Sequence, residues 1–328
     1  MKILLIRFSS IGDIVLTTPL IRCLKLQTNC EIHYLTKKSF QGVLAHNPYL
    51  HQIHTIEKRV KEVLPTLQKE QFDYVVDLHH NLRSQQVKML LRSQSLTFDK
   101  INVQKWLMVN FKINRLPKVH IVERYLATVA QLGVKNDGLG LDFFIPSKDE
   151  VAPTNLLFEA GFKADTPYIA FVIGAAHATK RMTSEKIIEL CRAIPLPVLL
   201  IGGPTDVEAG KMIAANAGAH VVNTCGNFNL NQSASLVRQA RWVISHDTGM
   251  MHIAAAFQKE IVSIWGNTIP DFGMYPYYAQ NVQRNITVEM KGLGCRPCSK
   301  IGFEKCPKGH FACMNQIPNE AVLKVISS

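Results

Sequence analysis

Short aliphatic runs alternate with polar loops and with stretches of helical spacing along almost the whole chain. In the first half the runs are Ile3-Leu4-Leu5-Ile6, Ile32-His33-Tyr34-Leu35 and Tyr74-Val75-Val76-Asp77-Leu78. In the second they are Tyr168–Ile173, Val198–Ile201, His220–Val222, Trp242–Ser245 and Ile261–Trp265. Runs this short and this apolar suit central parallel strands, which are buried on both faces. Between them, Ile14-Val15-Leu16, Leu20-Ile21 and Leu24 recur at helical spacing, as do residues 121–132, the stretch from Ser184, and those around Met212 and Leu236. The alternation predicts an α/β fold built on doubly wound parallel sheets. A mixed stretch with Gly138, Gly140, Pro146 and Pro153 reads as a linker, which divides the chain into domains 1–150 and 151–328. Two such domains facing each other would make a cleft lined by strand-end loops, where open α/β sheets bind ligands.

The loop Arg7-Phe8-Ser9-Ser10-Ile11-Gly12-Asp13 follows the first strand and ends on a carboxylate. Asp13 has two readings. It is a candidate catalytic base, and it is also a preferred residue for starting a helix. Pro19 bears on the choice, because a helix running on from Asp13 would set its ring against the carbonyl of Val15. Either the helix kinks there, or it begins near Thr18 with Pro19 at its first position. The third strand runs into a second polar loop on the same sheet edge, His79-His80-Asn81-Leu82-Arg83-Ser84, where His79 and Arg83 are candidate substrate contacts.

The strand-end loops of the second half carry groups suited to a nucleoside diphosphate. Thr248-Gly249 opens a helix, and amides at a helix N-terminus favour phosphate. Glycine there lets a ligand approach the backbone. Asp247 would be repelled by phosphate and is left to cap the helix or to accept from sugar hydroxyls. Lys180 follows another strand end and could neutralise a departing diphosphate. Glu208, past Gly202-Gly203, could take ribose hydroxyls, as an acid does in dinucleotide folds. Neither G-x-G-x-x-G nor G-x-x-x-x-G-K-[ST] occurs, which disfavours an NAD enzyme or a P-loop NTPase.

Charge and composition narrow the partners. Of 328 residues, 47% are hydrophobic and 19% charged, a globular balance. No apolar stretch approaches the roughly 18 residues that span a bilayer, and Arg7 and Asp13 interrupt any signal-like N-terminus, so a cytoplasmic protein is expected. The net charge is +12. Residues 79–118 hold eight of the basic residues (Arg83, Lys88, Arg92, Lys100, Lys105, Lys112, Arg115, Lys118) against Asp99 alone, interleaved with Trp106, Leu107, Met108, Val109 and Phe111. Such a stretch fits an anionic membrane surface or a phosphorylated lipid, and equally a solvated helix with a core face. No motif supports nucleic acid.

In this order, Ser9-Ser10-Ile11-Gly12-Asp13 with Thr17-Thr18-Pro19, Lys180-Arg181, Gly202-Gly203 with Glu208, and Asp247-Thr248-Gly249-Met250-Met251-His252 resemble the lipopolysaccharide heptosyltransferases of glycosyltransferase family 9. The resemblance covers nearly the whole chain. It implies a GT-B fold of two Rossmann-like domains, with the acceptor on the first and an ADP-activated heptose on the second. It implies Asp13 as the base and Lys180 as the phosphate-binding lysine. It places the nucleotide-sugar at Thr179, Lys180, Gly203, Glu208, Asp247, Thr248, Gly249, Met250 and His252, and the acceptor at Ser9, Ser10, Gly12, His79 and Arg83. Met182-Thr183 departs from the pattern, since many members carry an aromatic residue and a proline there.

An inverting transfer needs a base for the acceptor hydroxyl and positive charge where the diphosphate leaves. Lys180 and a helix N-terminus supply the charge, and no D-x-D metal motif is present, so no catalytic cofactor is expected. The expected reaction moves heptose from ADP-heptose to the phosphorylated lipid A–core acceptor, at the cytoplasmic face of the inner membrane. The same fold acting on another nucleotide-sugar, or a non-catalytic nucleotide- or lipid-binding protein, are the alternatives. Near the C-terminus, Cys295, Cys298, Cys306 and Cys313, with His310 close by, are candidate ligands of a structural zinc ion. Disulfides or free thiols remain open for them. Cys23, Cys30, Cys191 and Cys225 read as small core residues.

Overall fold

The computed structural model describes residues 1–326 and resolves them into two compact units, each with its own parallel sheet. The first unit holds residues 1–101 and 119–144, the second 102–118 and 145–328. The contiguous halves drawn from composition contain no such crossing; the segment 102–118 packs with the second unit.

In the first unit, β1 (Lys2–Ile6), β2 (Glu31–Lys37), β3 (Gln52–Ile56), β4 (Tyr74–Asp77) and β5 (Gln94–Thr97) form a sheet of order β3-β2-β1-β4-β5, parallel throughout. Its helices are α1 (Ile11–Val15), α2 (Thr18–Thr28), α3 (Leu64–Glu70) and α4 (Leu82–Leu91), with α6 (Ile121–Thr128) returning from the excursion through α5 (Asn102–Phe111). Leu4, Ile6, Phe8, Leu35 and Val75 are buried in one core cluster. The Pro19 question resolves by a break: α1 stops after Val15, and α2 starts at Thr18 with Pro19 in its first turn. Asp13 thus sits inside the short α1 rather than in an open loop.

The second unit contains α7 (Thr154–Glu159), β6 (Ile169–Val172), α8 (Ser184–Arg192), β7 (Val198–Ile201), α9 (Val207–Ala217), β8 (Val221–Asn223), α10 (Leu230–Gln239), β9 (Trp242–His246), α11 (Gly249–Ala256), β10 (Glu260–Trp265), β11 (Asn285–Glu289), α12 (Ala312–Asn315) and α13 (Asn319–Ile326). Its sheet has the order β11-β10-β9-β6-β7-β8, again parallel. The all-aliphatic β7 is wholly buried, as its composition requires. Helix starts are fixed locally. The Thr183 hydroxyl accepts from Lys186 N at 3.4 Å to cap α8, and Asn229 and Gln232 cap each other's amides at 2.9 and 3.0 Å at the head of α10. Cys23, Cys30, Cys191 and Cys225 are buried thiols, as core residues should be.

In each sheet the strand order reverses beside the first strand of the unit. The chain steps outward from β1 through β2 to β3, then returns to lay β4 on the other side of β1. It does the same from β6 through β7 and β8 to β9. Loops leaving the carboxyl ends of the two strands at such a reversal diverge, and the crevice between them is where doubly wound sheets bind ligands. The loops concerned are 7–10 and 78–81 in the first unit and 173–183 and 247–248 in the second.

Arg22, 3% exposed on α2, ties the returning segment to the first unit. Its guanidinium donates to both carboxylate oxygens of Asp137 at 2.7 and 2.8 Å, to Gly140 O at 2.8 Å, and to Asp142. Arg22→Ala strands two partly buried carboxylates and is expected to destabilise the first unit by about 3 kcal/mol, read as a lower midpoint in thermal unfolding.

Candidate functional site

At the reversal in the first unit, Arg7 is the organising group. It is 8% exposed. Its Nε donates to Ser9 O at 2.9 Å and its Nη1 to Leu78 O at 2.6 Å, so one side chain joins the loop after β1 to the loop after β4. Its Nη2 lies 2.6 Å from Asp13 Oδ1. The other oxygen, Asp13 Oδ2, accepts from Ser10 N at 3.1 Å and from Ser10 Oγ at 2.8 Å. Both readings of Asp13 therefore describe something real: it closes the first turn of α1, and it also presents a carboxylate with 18% of its side chain exposed. Burial opposes its charge, but Arg7 and the two Ser10 hydrogen bonds outweigh that and hold it at about 2. It is ionised at any physiological pH.

A cavity of about 400 Å³ opens beside this loop, lined by Phe8, Ser9, Lys37, His79, Asn81, Leu82 and Arg83. Three of the expected acceptor residues, Ser9, His79 and Arg83, meet there. Ser10 is exposed and Gly12 buried in α1, and neither lines the cavity. His79 packs edge-on to Phe8 with ring centroids 5.2 Å apart. Burial and the neighbouring Arg7 push it down to about 4, so its imidazole is neutral. Lys37, at the end of β2, was not foreseen. It belongs to a strand whose sequence signals only its aliphatic core.

At the reversal in the second unit, Lys180 follows β6 and Asp247 follows β9, and they meet across it with Nζ 2.6 Å from Oδ2. Thr268 Oγ1 donates to the same Asp247 oxygen at 2.9 Å. Residue 248 caps α11 in extended conformation without using its hydroxyl on the helix, so the first amides of α11, at Gly249 and Met250, begin immediately beside the ion pair. His252 is buried within the same helix at 2% exposure. Met182 is buried and its amide donates to His246 Nε2 at 3.1 Å, while Thr183 caps α8. The departure at these positions is thus accommodated by ordinary packing.

Two expected donor residues are placed differently. Thr179 is 2% exposed, and its hydroxyl accepts from Phe303 N at 2.8 Å and donates to Phe303 O at 3.0 Å. It holds the C-terminal segment rather than facing outward. Glu208 stands on the first turn of α9 with 85% of its side chain exposed, paired with Lys211 at 2.9 Å. The acid buried beside Gly203 is Asp206, which accepts from Gly203 N at 2.9 Å and pairs with Arg181 at 3.0 Å. A Cβ at Gly202 would lie 2.8 Å from both Asp206 Cβ and Cys225 Sγ, so only glycine admits this turn.

The cysteine-rich segment packs onto the carboxyl ends of the second sheet. Arg296 donates to Thr268 O at 2.9 Å and pairs with Glu289 at 2.6 Å, and Cys298 N donates to Asn267 O at 3.1 Å. Cys298 and Cys313 are both pushed up to about 11, first by burial and then by the neighbouring cysteines. Thiols that disfavour one another's charge are a donor set that a cation suits. Among the described residues, however, the sets of three or more ligand atoms lying within 4.8 Å of one another are both elsewhere, in the first unit. The four sulfurs are neighbours but are not drawn around one point.

The model of glycosyltransferase family 9 (heptosyltransferase) matches residues 60–303. A lipopolysaccharide heptosyltransferase 1 of Campylobacter coli is 23% identical over 347 residues, covering 99% of this chain and 98% of that one. Among solved structures, a family 9 glycosyltransferase from Veillonella parvula superposes with a TM-score of 0.76 at 21% identity, over 99% of this chain and 96% of that one. Escherichia coli ADP-heptose lipopolysaccharide heptosyltransferase II gives 0.74 at 21% identity, over 100% and 98%. The two parallel-sheet units therefore have the GT-B fold.

The Arg7–Asp13 pair has a pH signature. A carboxylate held at about 2 stabilises the folded chain above the unfolded value near 4, and the contribution is lost as pH falls from about 4 towards 2. Asp13→Asn is expected to destabilise the first unit by on the order of 2 kcal/mol near neutral pH. In urea unfolding at about pH 6 and about pH 3, the difference from wild type should shrink at the lower pH. A difference independent of pH would show that the charge of Asp13 is not what stabilises the turn.

Proposed function

Since the chain belongs to glycosyltransferase family 9 and is thereby a glycosyltransferase, we propose that it transfers heptose from ADP-heptose to the inner core of lipopolysaccharide, with inversion at the anomeric carbon. Heptosyltransferase relatives matched over 98% and 85% of their length support the sugar and the acceptor. The observation that carries the chemistry is the Lys180–Asp247 pair at the head of α11. It sets an ammonium beside the first amides of α11 where a diphosphate would leave, and a carboxylate where sugar hydroxyls would be held.

In this reading the first unit takes the acceptor and the second the donor. Lys180 and the amides of Gly249 and Met250 stabilise the charge developing on the departing ADP. Asp247 accepts from heptose hydroxyls, with Thr268 fixing its orientation. Gly203, at the turn after β7, and Glu208, exposed in the first turn of α9, are assigned to the ribose. Asp13 takes the proton of the attacking hydroxyl. A carboxylate held at about 2 cannot keep a proton from an unreacted alcohol. It can accept one only as the new C–O bond forms and the hydroxyl becomes strongly acidic, so transfer is concerted with attack. The hydrogen bonds of Ser10 and Arg7 keep Asp13 ionised and aimed, at a cost in basicity.

The phosphorylated acceptor is assigned to the cavity at Ser9, Lys37, His79 and Arg83. Membrane contact is assigned to α5. This helix has no buried residue, and it exposes Val103, Trp106 and Phe111 by 68%, 54% and 58%. Not all of the basic residues around it serve a partner. Lys88 pairs with Asp77 at 3.2 Å, and Lys112 donates to Pro297 O at 2.7 Å. No described helix is long and apolar enough to cross a membrane. The cysteines Cys295, Cys298, Cys306 and Cys313 are assigned a structural zinc ion, which would draw their sulfurs together.

ADP release from ADP-heptose, measured with a heptose-deficient lipopolysaccharide acceptor, tests the reading. Wild type should release ADP only when the acceptor is present. Asp13→Asn and Lys180→Met should each lower the rate by about 10²-fold or more, with ADP binding retained in Asp13→Asn. Equal release by wild type and Asp13→Asn would reduce Asp13 to a capping residue; preference for UDP or GDP in a binding competition would reassign the donor. Trp106→Ser with Phe111→Ser should lower sedimentation with anionic vesicles and leave turnover of a detergent-dispersed acceptor unchanged.

A further inference from the structure

At the amino ends of the strands in the first sheet, opposite the edge that carries Asp13, lies a group of histidines and glutamates for which the transfer reaction has no use. Glu31 and His33 are the first and third residues of β2, His51 immediately precedes β3, His54 is its third residue, and Glu70 ends α3. We propose that Glu31, His33 and His51 form a binding site for a divalent transition cation of the zinc type, with the fourth position open to water.

The spacing suits such an ion. Zinc bonds of roughly 2.0–2.2 Å in tetrahedral geometry set ligand atoms about 3.3–3.5 Å apart. Glu31 Oε1 lies 2.9 Å from His33 Nε2 and 3.8 Å from His51 Nε2, either side of that figure. The three ligand atoms all lie within 4.8 Å of one another. Closing Glu31 onto an ion shared with either histidine takes shifts of a few tenths of an ångström, and two of the three side chains are partly exposed. Glu31 and His51 are 37% and 58% exposed, which also leaves the ion a way in.

His33 is the fixed member. It is fully buried, its ring lies edge to edge with that of His54, centroids 5.1 Å apart and planes at 13°, and its Nδ1 lies 2.8 Å from His54 Nε2. While Glu31 accepts from His33 at 2.9 Å, the proton is on Nε2. An ion takes the place of that proton, and Nδ1, 2.8 Å from His54 Nε2, then carries the hydrogen and donates it to His54, a partner on the other nitrogen that holds the ring as in established metal sites. An imidazole pair with one carboxylate is a donor set for zinc and its neighbours rather than for magnesium or calcium.

The positive charge is now supplied by Lys2. Its ammonium lies 3.2 Å from Glu31 and 2.8 Å from Glu70. A cation taking Glu31 leaves Lys2 paired with Glu70, so entry of the ion exposes no uncompensated charge. The site would tie the segment entering the edge strand β3 to β2, a structural role independent of the transfer reaction.

Zinc is titrated calorimetrically into the full-length protein and into His51→Ala and Glu31→Gln, with matching circular dichroism as the check of folding. The C-terminal thiols are present in all three, so any difference between isotherms belongs to this site. Wild type should bind one equivalent more than either variant, or bind that equivalent at least about tenfold more tightly. Lys2→Met, which removes the competing ammonium, should tighten it further. Isotherms that superpose for wild type and both variants overturn the proposal.

Discussion

Both units depend on the same constraint. A parallel sheet whose strand order reverses must let two strand-end loops part, and the gap exposes backbone that neither loop can satisfy alone. Each unit closes its gap with a cation. In the first, Arg7 spans the loops with hydrogen bonds to Ser9 O and Leu78 O and still reaches Asp13. In the second, Lys180 reaches Asp247 across the corresponding point. The two cations are suited to different tasks. A buried guanidinium with several directed bonds is a permanent brace, whereas an ammonium on a flexible stem can change partners.

The central strands and the residues at the reversals were legible because both follow from one signal. An aliphatic run buried on both faces must be a central strand, and the polar loop at its end must lie at the sheet's carboxyl edge. β3, β5 and β11 were not legible. Gln52–Ile56, Gln94–Thr97 and Asn285–Glu289 are short and polar, and all three are edge strands, which carry neither a two-sided core nor the pattern that announces one. Asp13 was found from its position, but its partnership with Arg7 was only half visible: six residues apart in the chain, they meet because α1 turns back beside the end of β1. Glu208 and Asp206 show the limit of motif reading. Two acids two residues apart are interchangeable in a sequence, and only the buried turn at Gly202-Gly203 decides which is enclosed.

The C-terminal segment is coupled to the Lys180–Asp247 pair through short links. Phe303 holds Thr179, the residue before Lys180, and Arg296 holds the carbonyl of Thr268, whose hydroxyl holds Asp247. Lys180 and Asp247 are thus each supported from the segment that carries the four thiols. The thiols themselves touch neither residue; the links run through the backbone of Phe303 and the side chain of Arg296.

The placement of α5 bears on how such chains can be recombined. The polypeptide leaves the first unit at residue 101, contributes 102–118 to the second, returns at 119 and leaves again at 144. A gene fragment starting at residue 145 would therefore encode a second unit lacking one of its own helices, with the surface around Phe272 and Pro297, where Lys105 and Lys112 now rest, laid bare. The second unit is not an interchangeable cassette. A chimera that exchanges it for a relative's must carry the internal seventeen-residue insert with it.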